Sequence, residues 1–241
     1  MVDFDRLAAI GVDVKGKIAL AKYGGPFRGL KVKNAQEHGM IGAVIFTDPS
    51  DDGNVTEAKG VAAYPKGPAR HPSSVQRGSV EFLSTCSGDP TTPGYPSKKD
   101  SPRADKSHVV PRIPSLPISW ADAQPILKAL DGYGTGGKEV NRTGWVGAIP
   151  GVSYSTGPAP GVTLDLSNVM EDAYTDIWNP IGIINGTNQD EVIIVGNHRD
   201  AWIVGGAGQS IAPRTGFNHL QIFSGSKLRL SSSRRVGQGL R

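Results

Sequence analysis

The sequence predicts a mixed α/β fold, and three observations lead to that class. Apolar residues make up 37% of the 241-residue chain, which also contains 32 Gly and 18 Pro, and this composition favours a loop-rich β or mixed fold over a helical bundle. A strand pattern, a helical pattern and a second strand pattern follow one another over residues 17–46. Further strand-like stretches come after long loops. The length of the chain fits one large domain or two small ones.

The first of these stretches predicts a β–α–β unit. Residues 17–23 (KIALAKY) alternate like a strand, and residues 27–38 place apolar positions at helical spacing. Gly39 stands where a helix ends, and residues 41–46 (IGAVIF) form the continuous apolar run of a buried strand. The short joints between the three elements are typical of a β–α–β unit.

Loops and two short elements are expected in the middle of the chain. Residues 53–112 are rich in Gly, Pro and Ser, and residues 113–119 (IPSLPIS) are extended because their prolines forbid a helix and suit a sheet edge. Residues 122–130 predict a helix with Asp122 as its cap. That start places Pro125 in the first turn, where its missing N–H costs little.

The next patterned stretch predicts strands. Residues 163–168 (TLDLSN) alternate, and residues 177–184 and 191–196 form two strand patterns joined through Asn185-Gly186, a dipeptide typical of hairpin turns. We expect the last two to be edge strands without sheet neighbours.

Charge is distributed unevenly along the chain. The formal net charge is +4, but residues 209–241 hold six Lys or Arg and no Asp or Glu, so the remaining residues have a net charge of −2. We predict a solvated, disordered tail over residues 209–241 and no nucleic-acid partner. A nucleic-acid or membrane arm is the alternative.

Cysteine usage and targeting signals leave the localisation open. Cys86 is the single cysteine, so no intrachain disulfide can form, and we expect a buried thiol rather than a nucleophile. We find no run of about 18 apolar residues and no signal peptide at the start of the chain. Three glycosylation sequons begin at Asn54, Asn141 and Asn185, and they would matter only with an upstream targeting segment.

Five spaced motifs occur in a fixed order: GKIALAKYGGPFRGLKVKNAQEHGMIGAVIFTDPSDDG (16–53), YPKGPARHPSSVQRGS (64–79), GDPTTPGYPS (88–97), IPSLPISWADAQPIL (113–127) and VIIVGNHRDAWIVGG (192–206). Together they resemble the glutamate carboxypeptidase and transferrin receptor family. The resemblance implies a mainly β protease-associated domain with flanking helices at residues 1–162. It implies the first strands of an incomplete α/β zinc-peptidase domain at residues 163–208. Residues 209–241 resemble nothing in the family.

The resemblance also implies a metal site that this chain does not complete. His198 and Asp200 align with a zinc ligand and its supporting carboxylate, a pairing in which the carboxylate orients the imidazole. Without the resemblance, the pair would be interpreted as a histidine at a strand end whose hydrogen bonds are made within the protein. The position of the family's bridging aspartate is Gln209, and the surroundings of His219 match nothing in the family. Because catalytic zinc takes three protein ligands, no complete catalytic set is present, and we do not expect stable binding of the family's two zinc ions.

Further site residues follow from the resemblance. Arg28 aligns with an arginine that holds the substrate's free carboxylate, a task suited to a guanidinium; a surface arginine at a helix start is the alternative. Ser79 replaces an asparagine of the same pocket, which puts a preference for glutamate in doubt. Thr92 and Tyr95 align with residues that supply oxygens to a structural Ca²⁺, although a proline-braced loop is the expected role here.

We therefore expect a truncated homologue of a zinc-dependent glutamate carboxypeptidase-like peptidase, not catalytically competent as an isolated chain. The parent would act on peptides with a free C-terminal carboxylate and would be membrane-anchored, secretory or vacuolar. Family members dimerise through a domain without a counterpart here. A non-catalytic protease-associated interaction or sorting module is the alternative, and an active peptidase with an unrecognised site is a third reading.

Overall fold

The computed structural model describes residues 2–140, 145–188, 190–196, 202 and 221–226, the last six by their backbone. Contacts divide the chain into two compact units, the first built from Met1–Ser87 and Asp105–Glu171 and the second from Gly88–Ala104 and described residues of Asp172–Gly239. The helices and strands are α1 (Val2–Ala9), β1 (Ile18–Lys22), α2 (Arg28–Glu37), β2 (Gly42–Phe46), β3 (Ser115–Ile118), α3 (Trp120–Ala129), β4 (Glu191–Gly196) and β5 (Gln221–Ser226).

A three-stranded parallel sheet of order β1–β2–β3 organises the first unit. Ile18 pairs with Gly42, and Ala43 pairs with Ser115, so β2 is the central strand. All five residues of β2 are buried, which is what a continuous apolar run requires of a strand covered on both faces. The predicted β–α–β unit is therefore confirmed, with α2 as its crossover helix, and the edge position predicted for residues 113–119 is confirmed by β3.

The sheet carries a hydrophobic core on each face. On one face Phe46 packs with Leu127 of α3 and with Tyr154. On the other, Ile45 packs with Val32 of α2. Neighbouring side chains of a strand point to opposite faces, so two adjacent residues of β2 serve both cores. The two faces of the sheet thus belong to two different clusters, one with α2 and one with α3.

A buried carboxylate lies just beyond the carboxyl end of β2. Asp48 is 1% exposed, and its Oδ1 accepts hydrogen bonds from the N–H groups of Ser50 (2.8 Å) and Ala148 (2.9 Å). The hydroxyl of Tyr154 donates to Asp48 Oδ2 and accepts a hydrogen bond from the N–H of Ile149 (3.0 Å). Burial, and then the bond to Asp48, raise the pKa of Tyr154, so the phenol stays protonated and remains a donor.

Helix α3 begins at Trp120, and the prediction that Asp122 caps it is wrong. Ser119 is the N-cap: its Oγ accepts a hydrogen bond from the N–H of Asp122 (3.1 Å) and donates one to Asp122 Oδ2 (2.5 Å). The serine satisfies a backbone donor that the helix start leaves open, and the acid three residues later completes the cap. Pro125 consequently lies further inside the helix than predicted.

The strand predicted at residues 177–184 and its hairpin turn are wrong. Residues 177–184 join no sheet among the described residues, and Pro180 within them removes a ladder donor. Residues 178–184 are exposed to solvent, with Ile183 83% and Ile184 98% accessible. Strand β4 is confirmed, but it pairs antiparallel with β5, which the sequence did not predict.

The mixed α/β class is confirmed, whereas "mainly β" overstates the sheet content of residues 1–162. In the described part of that range, three strands of four or five residues accompany three helices of eight to ten residues, and α1 was not predicted. Residues 163–168 are also not a strand, although the side chain of Asn168 donates to the Ser115 carbonyl in β3 (2.9 Å). No helix in the described ranges is long and apolar enough to span a membrane. The domain boundary at residue 162 and the incomplete peptidase domain stay predictions.

We expect Tyr154→Phe to destabilise the first unit by about 1–3 kcal/mol, because it leaves Asp48 Oδ2 and the Ile149 N–H without their buried partner. Denaturant unfolding followed by tryptophan fluorescence measures the loss, since Trp145 lies edge-on to Tyr154 with ring centroids 6.0 Å apart. Tyr133→Phe, at a ring that is 44% exposed, is the matched control. Equal losses in the two variants would contradict the role of the buried hydroxyl.

Candidate functional site

Arg28 is the first residue of α2, and three residues lie next to its guanidinium. The Phe27 ring centroid lies 4.8 Å from Arg28 Cζ. Gly78 lies so close that a Cβ atom added to it would fall within 3.0 Å of the guanidinium atoms Nη2, Cζ and Nε. Tyr23 is the third neighbour: burial raises its pKa, and the positive charge of Arg28 beside it offsets part of that rise. We call this arrangement of Arg28, Phe27, Gly78 and Tyr23 the Arg28 site.

The guanidinium of Arg28 has binding capacity that the described chain does not use. Its Nε is buried and has no hydrogen-bond partner, and Arg28 forms no ion pair with any residue that the structure describes. An arginine stays charged at any working pH, and a buried donor without an acceptor costs free energy. Such a group is suited to receive an anion.

Ser79 follows the residue that contacts the Arg28 guanidinium, and its place in one pocket with Arg28 stays a prediction. Ser79 follows Gly78 directly, is half-buried, and accepts a hydrogen bond on Oγ from the N–H of Glu81 (3.1 Å). The next residue of α2, Gly29, lies against the carbonyl of Glu81, where an added Cβ would clash. Two glycines therefore allow the start of α2 to approach residues 78–81 closely.

Thr92 and Tyr95 lie in a loop of the second unit that is built around an ion pair. The carboxylate of Asp89, with a side chain 5% exposed, accepts hydrogen bonds on Oδ2 from Thr92 Oγ1 (3.0 Å) and Arg103 Nη1 (3.2 Å). Arg103 Nη1 also donates to Ser97 Oγ (2.6 Å). The Tyr95 hydroxyl donates to a backbone carbonyl of the same loop, that of residue 102 (2.7 Å). The oxygens around Asp89 thus serve to close the loop on itself, and the calcium role of Thr92 and Tyr95 stays a prediction.

Sequence reasoning missed both partners of this ion pair. Asp89 did carry a local signal, since an Asp before Pro-Thr favours a turn, and its Oδ1 accepts hydrogen bonds from the N–H (2.9 Å) and hydroxyl (2.7 Å) of Thr91. Arg103 follows 14 residues later, and no spacing rule connects it to Asp89. Tyr23 and Gly78 were likewise visible only as parts of longer motifs.

The two predicted metal-site residues, His198 and Asp200, lie outside the described residues, and so do Gln209 and His219, which were not expected to be ligands. Within the residues that are described, no group of three or more His, Cys, Asp or Glu side chains could hold a metal ion. The assignment of His198 as a zinc ligand therefore stays a prediction. Cys86, expected to be buried, is only half-buried.

We expect the loop around Asp89 to lose stability in acid. Burial raises the pKa of Asp89, but the hydrogen bonds from Thr91, Thr92 and Ser97 outweigh burial and lower the pKa overall. Because the folded-state pKa lies below the unfolded value of about 4, the carboxylate stabilises the loop above about pH 4, and this stability is lost as the pH falls through the folded-state pKa.

The measurement is a pH titration of the backbone amide shifts of residues 88–104 by NMR. Asp89→Asn is expected to abolish the acid transition, and Asp100→Asn, at an exposed acid of the same loop, is expected to preserve it. The same transition in wild type and Asp89→Asn would refute the role of Asp89.

Comparison with known proteins places these observations in a family. The PA domain family matches residues 3–82. The chain is 74% identical over 207 residues to a "Probable glutamate carboxypeptidase" of Arthroderma benhamiae, which covers 86% of this chain and 28% of the relative. It is 40% identical over 211 residues to "Vacuolar protein sorting-associated protein 70" of Saccharomyces cerevisiae, covering 86% of this chain and 25% of the relative.

A third relative, the "Glutamate carboxypeptidase 2 homolog" of Caenorhabditis briggsae, is 40% identical over 227 residues, which are 89% of this chain and 27% of the relative. The chain thus spans about a quarter of the length of these curated relatives. Together with the parallel sheet and the match to the PA domain, these similarities show that the chain belongs to the glutamate carboxypeptidase family and carries its protease-associated domain.

Proposed function

We propose that these residues form the substrate-binding protease-associated part of a glutamate carboxypeptidase-like peptidase, in which Arg28 binds the free C-terminal carboxylate of a peptide. The observation that carries the proposal is the guanidinium itself, which is charged, has a buried Nε without a hydrogen-bond partner, and forms no ion pair with any described residue. Its hydrogen-bonding neighbour Tyr23 is a neutral phenol, which does not balance the charge. A guanidinium and a carboxylate form two parallel hydrogen bonds, so the geometry of the two groups is complementary.

Ser79 contributes to the same proposed pocket. Its side chain is shorter than that of asparagine, and its Oγ accepts a hydrogen bond from the N–H of Glu81 (3.1 Å), so a serine here offers one O–H donor in place of an amide group. We therefore propose that Arg28 selects a free C-terminus and that the chain does not require glutamate as the terminal residue. Selection of the terminal side chain would then depend on residues other than Ser79.

These 241 residues do not supply the full set of ligands that the family's zinc centre needs. His198 supplies one ligand and Asp200 its orienting carboxylate, while residues 201–241 contain no Asp, Glu or Cys and a single histidine, His219. Catalytic zinc takes three protein ligands, and a two-ion centre needs more. We propose that this polypeptide alone does not hydrolyse peptides and binds neither of the family's zinc ions stably.

Binding without hydrolysis is the expected result for the purified 241-residue polypeptide. An N-acetylated dipeptide with a free carboxylate should shift the NMR signal of the Arg28 Nε–H, and the same dipeptide amidated at its C-terminus should not. Arg28→Lys should abolish binding because it loses the two-pronged contact, and Arg77→Lys, at an exposed arginine of the neighbouring segment, is the matched control.

The same sample tests for hydrolysis with added Zn²⁺, by product analysis and by metal content after dialysis. Release of the terminal amino acid that stops on addition of a chelator would overturn the proposed inactivity. Equal binding of the dipeptide by wild type and Arg28→Lys would overturn the proposed role of Arg28.

A second function is supported by a different observation, the two hydrophobic clusters on the two faces of β2 in the first unit. A unit with its own core can act as an interaction or sorting module, and one relative is named for vacuolar protein sorting. Equal binding of the free and the amidated dipeptide, at a surface that does not include Arg28, would favour this module over carboxylate recognition.

A further inference from the structure

We infer that Gly78 is a positioning residue for Arg28, because the absence of a side chain at Gly78 determines where the guanidinium is presented. The inference rests on the proposed function for the role of Arg28 in binding substrate. The contacts that carry it are properties of the free chain and can be tested without a substrate.

The space above Gly78 is filled by the guanidinium. A Cβ atom at residue 78 would lie within 3.0 Å of Arg28 Nη2, Cζ and Nε, a separation that real Cβ atoms essentially never show. Gly78 does not have a positive φ, so its backbone would accept an L-amino acid. The requirement for glycine at this position therefore comes from the arginine and not from the backbone.

The side chain of Arg28, rather than the backbone, would have to move in a variant with a larger residue 78. The segment around Gly78 is held on both sides: the Tyr23 hydroxyl donates to the Gln76 carbonyl (2.6 Å), and the carbonyls of Val80 and Glu81 pack closely against Gly29 of α2. The guanidinium is the far end of a flexible side chain and can leave its place at low cost. Displacement would carry it away from Phe27 and Tyr23.

Gly29, in contrast to Gly78, is in close contact with backbone atoms and not with a side chain. A Cβ atom at Gly29 would clash with the backbone carbonyls of Val80 and Glu81, which cannot rotate away. Gly29 therefore determines the approach of two backbone segments, whereas Gly78 determines the position of one side chain. The two glycines of the same contact thus separate a folding role from a positioning role.

The experiment is Gly78→Ala in the 241-residue chain, compared with Gly136→Ala. Gly136 is the matched control because a Cβ atom there would meet only the Glu139 side chain, at 3.8 Å or more, and its φ is not positive. In Gly78→Ala we expect hydrogen exchange at the Arg28 Nε–H to accelerate about tenfold or more, since the group is no longer buried. We also expect the pKa of Tyr23 to rise, because the neighbouring positive charge moves away. Gly136→Ala should change neither.

The outcomes separate this inference from the proposed function. If Gly78→Ala leaves the Nε–H exchange and the Tyr23 titration as in wild type, the inference is overturned. If both change while the wild type binds no dipeptide, Gly78 positions Arg28 but Arg28 does not bind the substrate carboxylate. If both change and dipeptide binding weakens together with them, both proposals are supported.

A double variant keeps the inference testable if Gly78→Ala folds poorly. Removing the guanidinium with Arg28→Ala should relieve the steric conflict, so Gly78→Ala should shift the unfolding midpoint less in the Arg28→Ala background than in wild type. An equal shift in both backgrounds would show that the added methyl group clashes with something other than Arg28, which would overturn the inference.

Discussion

The carboxylate of Asp48 is the interaction on which the first unit depends. It lies two residues beyond the end of the central strand and is hydrogen-bonded to Ala148 and Tyr154, which are 100 and 106 residues further along the chain. These bonds hold residues 145–154 over the Phe46 side of the sheet, where Tyr154 completes the hydrophobic cluster. A buried carboxylate is tolerated only with such donors. Tyr154 in turn adopts a φ of 55°, unusual for an aromatic residue, and its hydrogen bonds offset the cost of that conformation.

The Arg28 site lies only a few residues beyond the end of a strand of the same sheet. Strand β1 ends at Lys22, Tyr23 follows it, and α2 begins at Arg28. Because β1 and β2 are parallel, the segment after β1 and Asp48 after β2 both leave the sheet at its carboxyl-terminal edge. In open parallel sheets this edge is where ligands bind. The core therefore holds the backbone around Arg28, while the contacts with Phe27 and Gly78 determine where its charge lies.

Local patterns predicted the part of the fold that depends on local contacts. The β–α–β unit is such a case, since each element carries its own periodicity and the joints are short. The cap of α3 was misplaced because Ser119 and Asp122 belong to one capping arrangement, and the preference of Pro125 for a first turn favoured the wrong member. Residues 177–184 have the alternation of a strand, but a pattern does not supply a partner strand.

In the candidate site, too, the sequence predicted some features and did not reveal contacts between distant residues. The resemblance to a family implies that Arg28 and Ser79 share one pocket, and the structure shows a contact of Arg28 with Gly78, the residue before Ser79. The contact between Arg28 and Gly78 spans 50 residues of sequence, and its steric basis is the absence of a side chain, which no periodicity reveals. The ion pair between Asp89 and Arg103 was invisible for a related reason, since charged residues in a loop of mixed composition have many possible partners.

The solvent-exposed side chains of Ile183 and Ile184 have a practical consequence for work with this polypeptide. Large apolar side chains that water surrounds almost completely favour contact with any other apolar surface, including a second molecule of the same kind. The exposed Ile193 of β4, 74% accessible in a sheet of two strands, adds to that tendency. Protein concentration therefore becomes an experimental variable through the second unit, and dilute, salt-controlled samples are the condition under which the chemistry of Arg28 belongs to a single molecule.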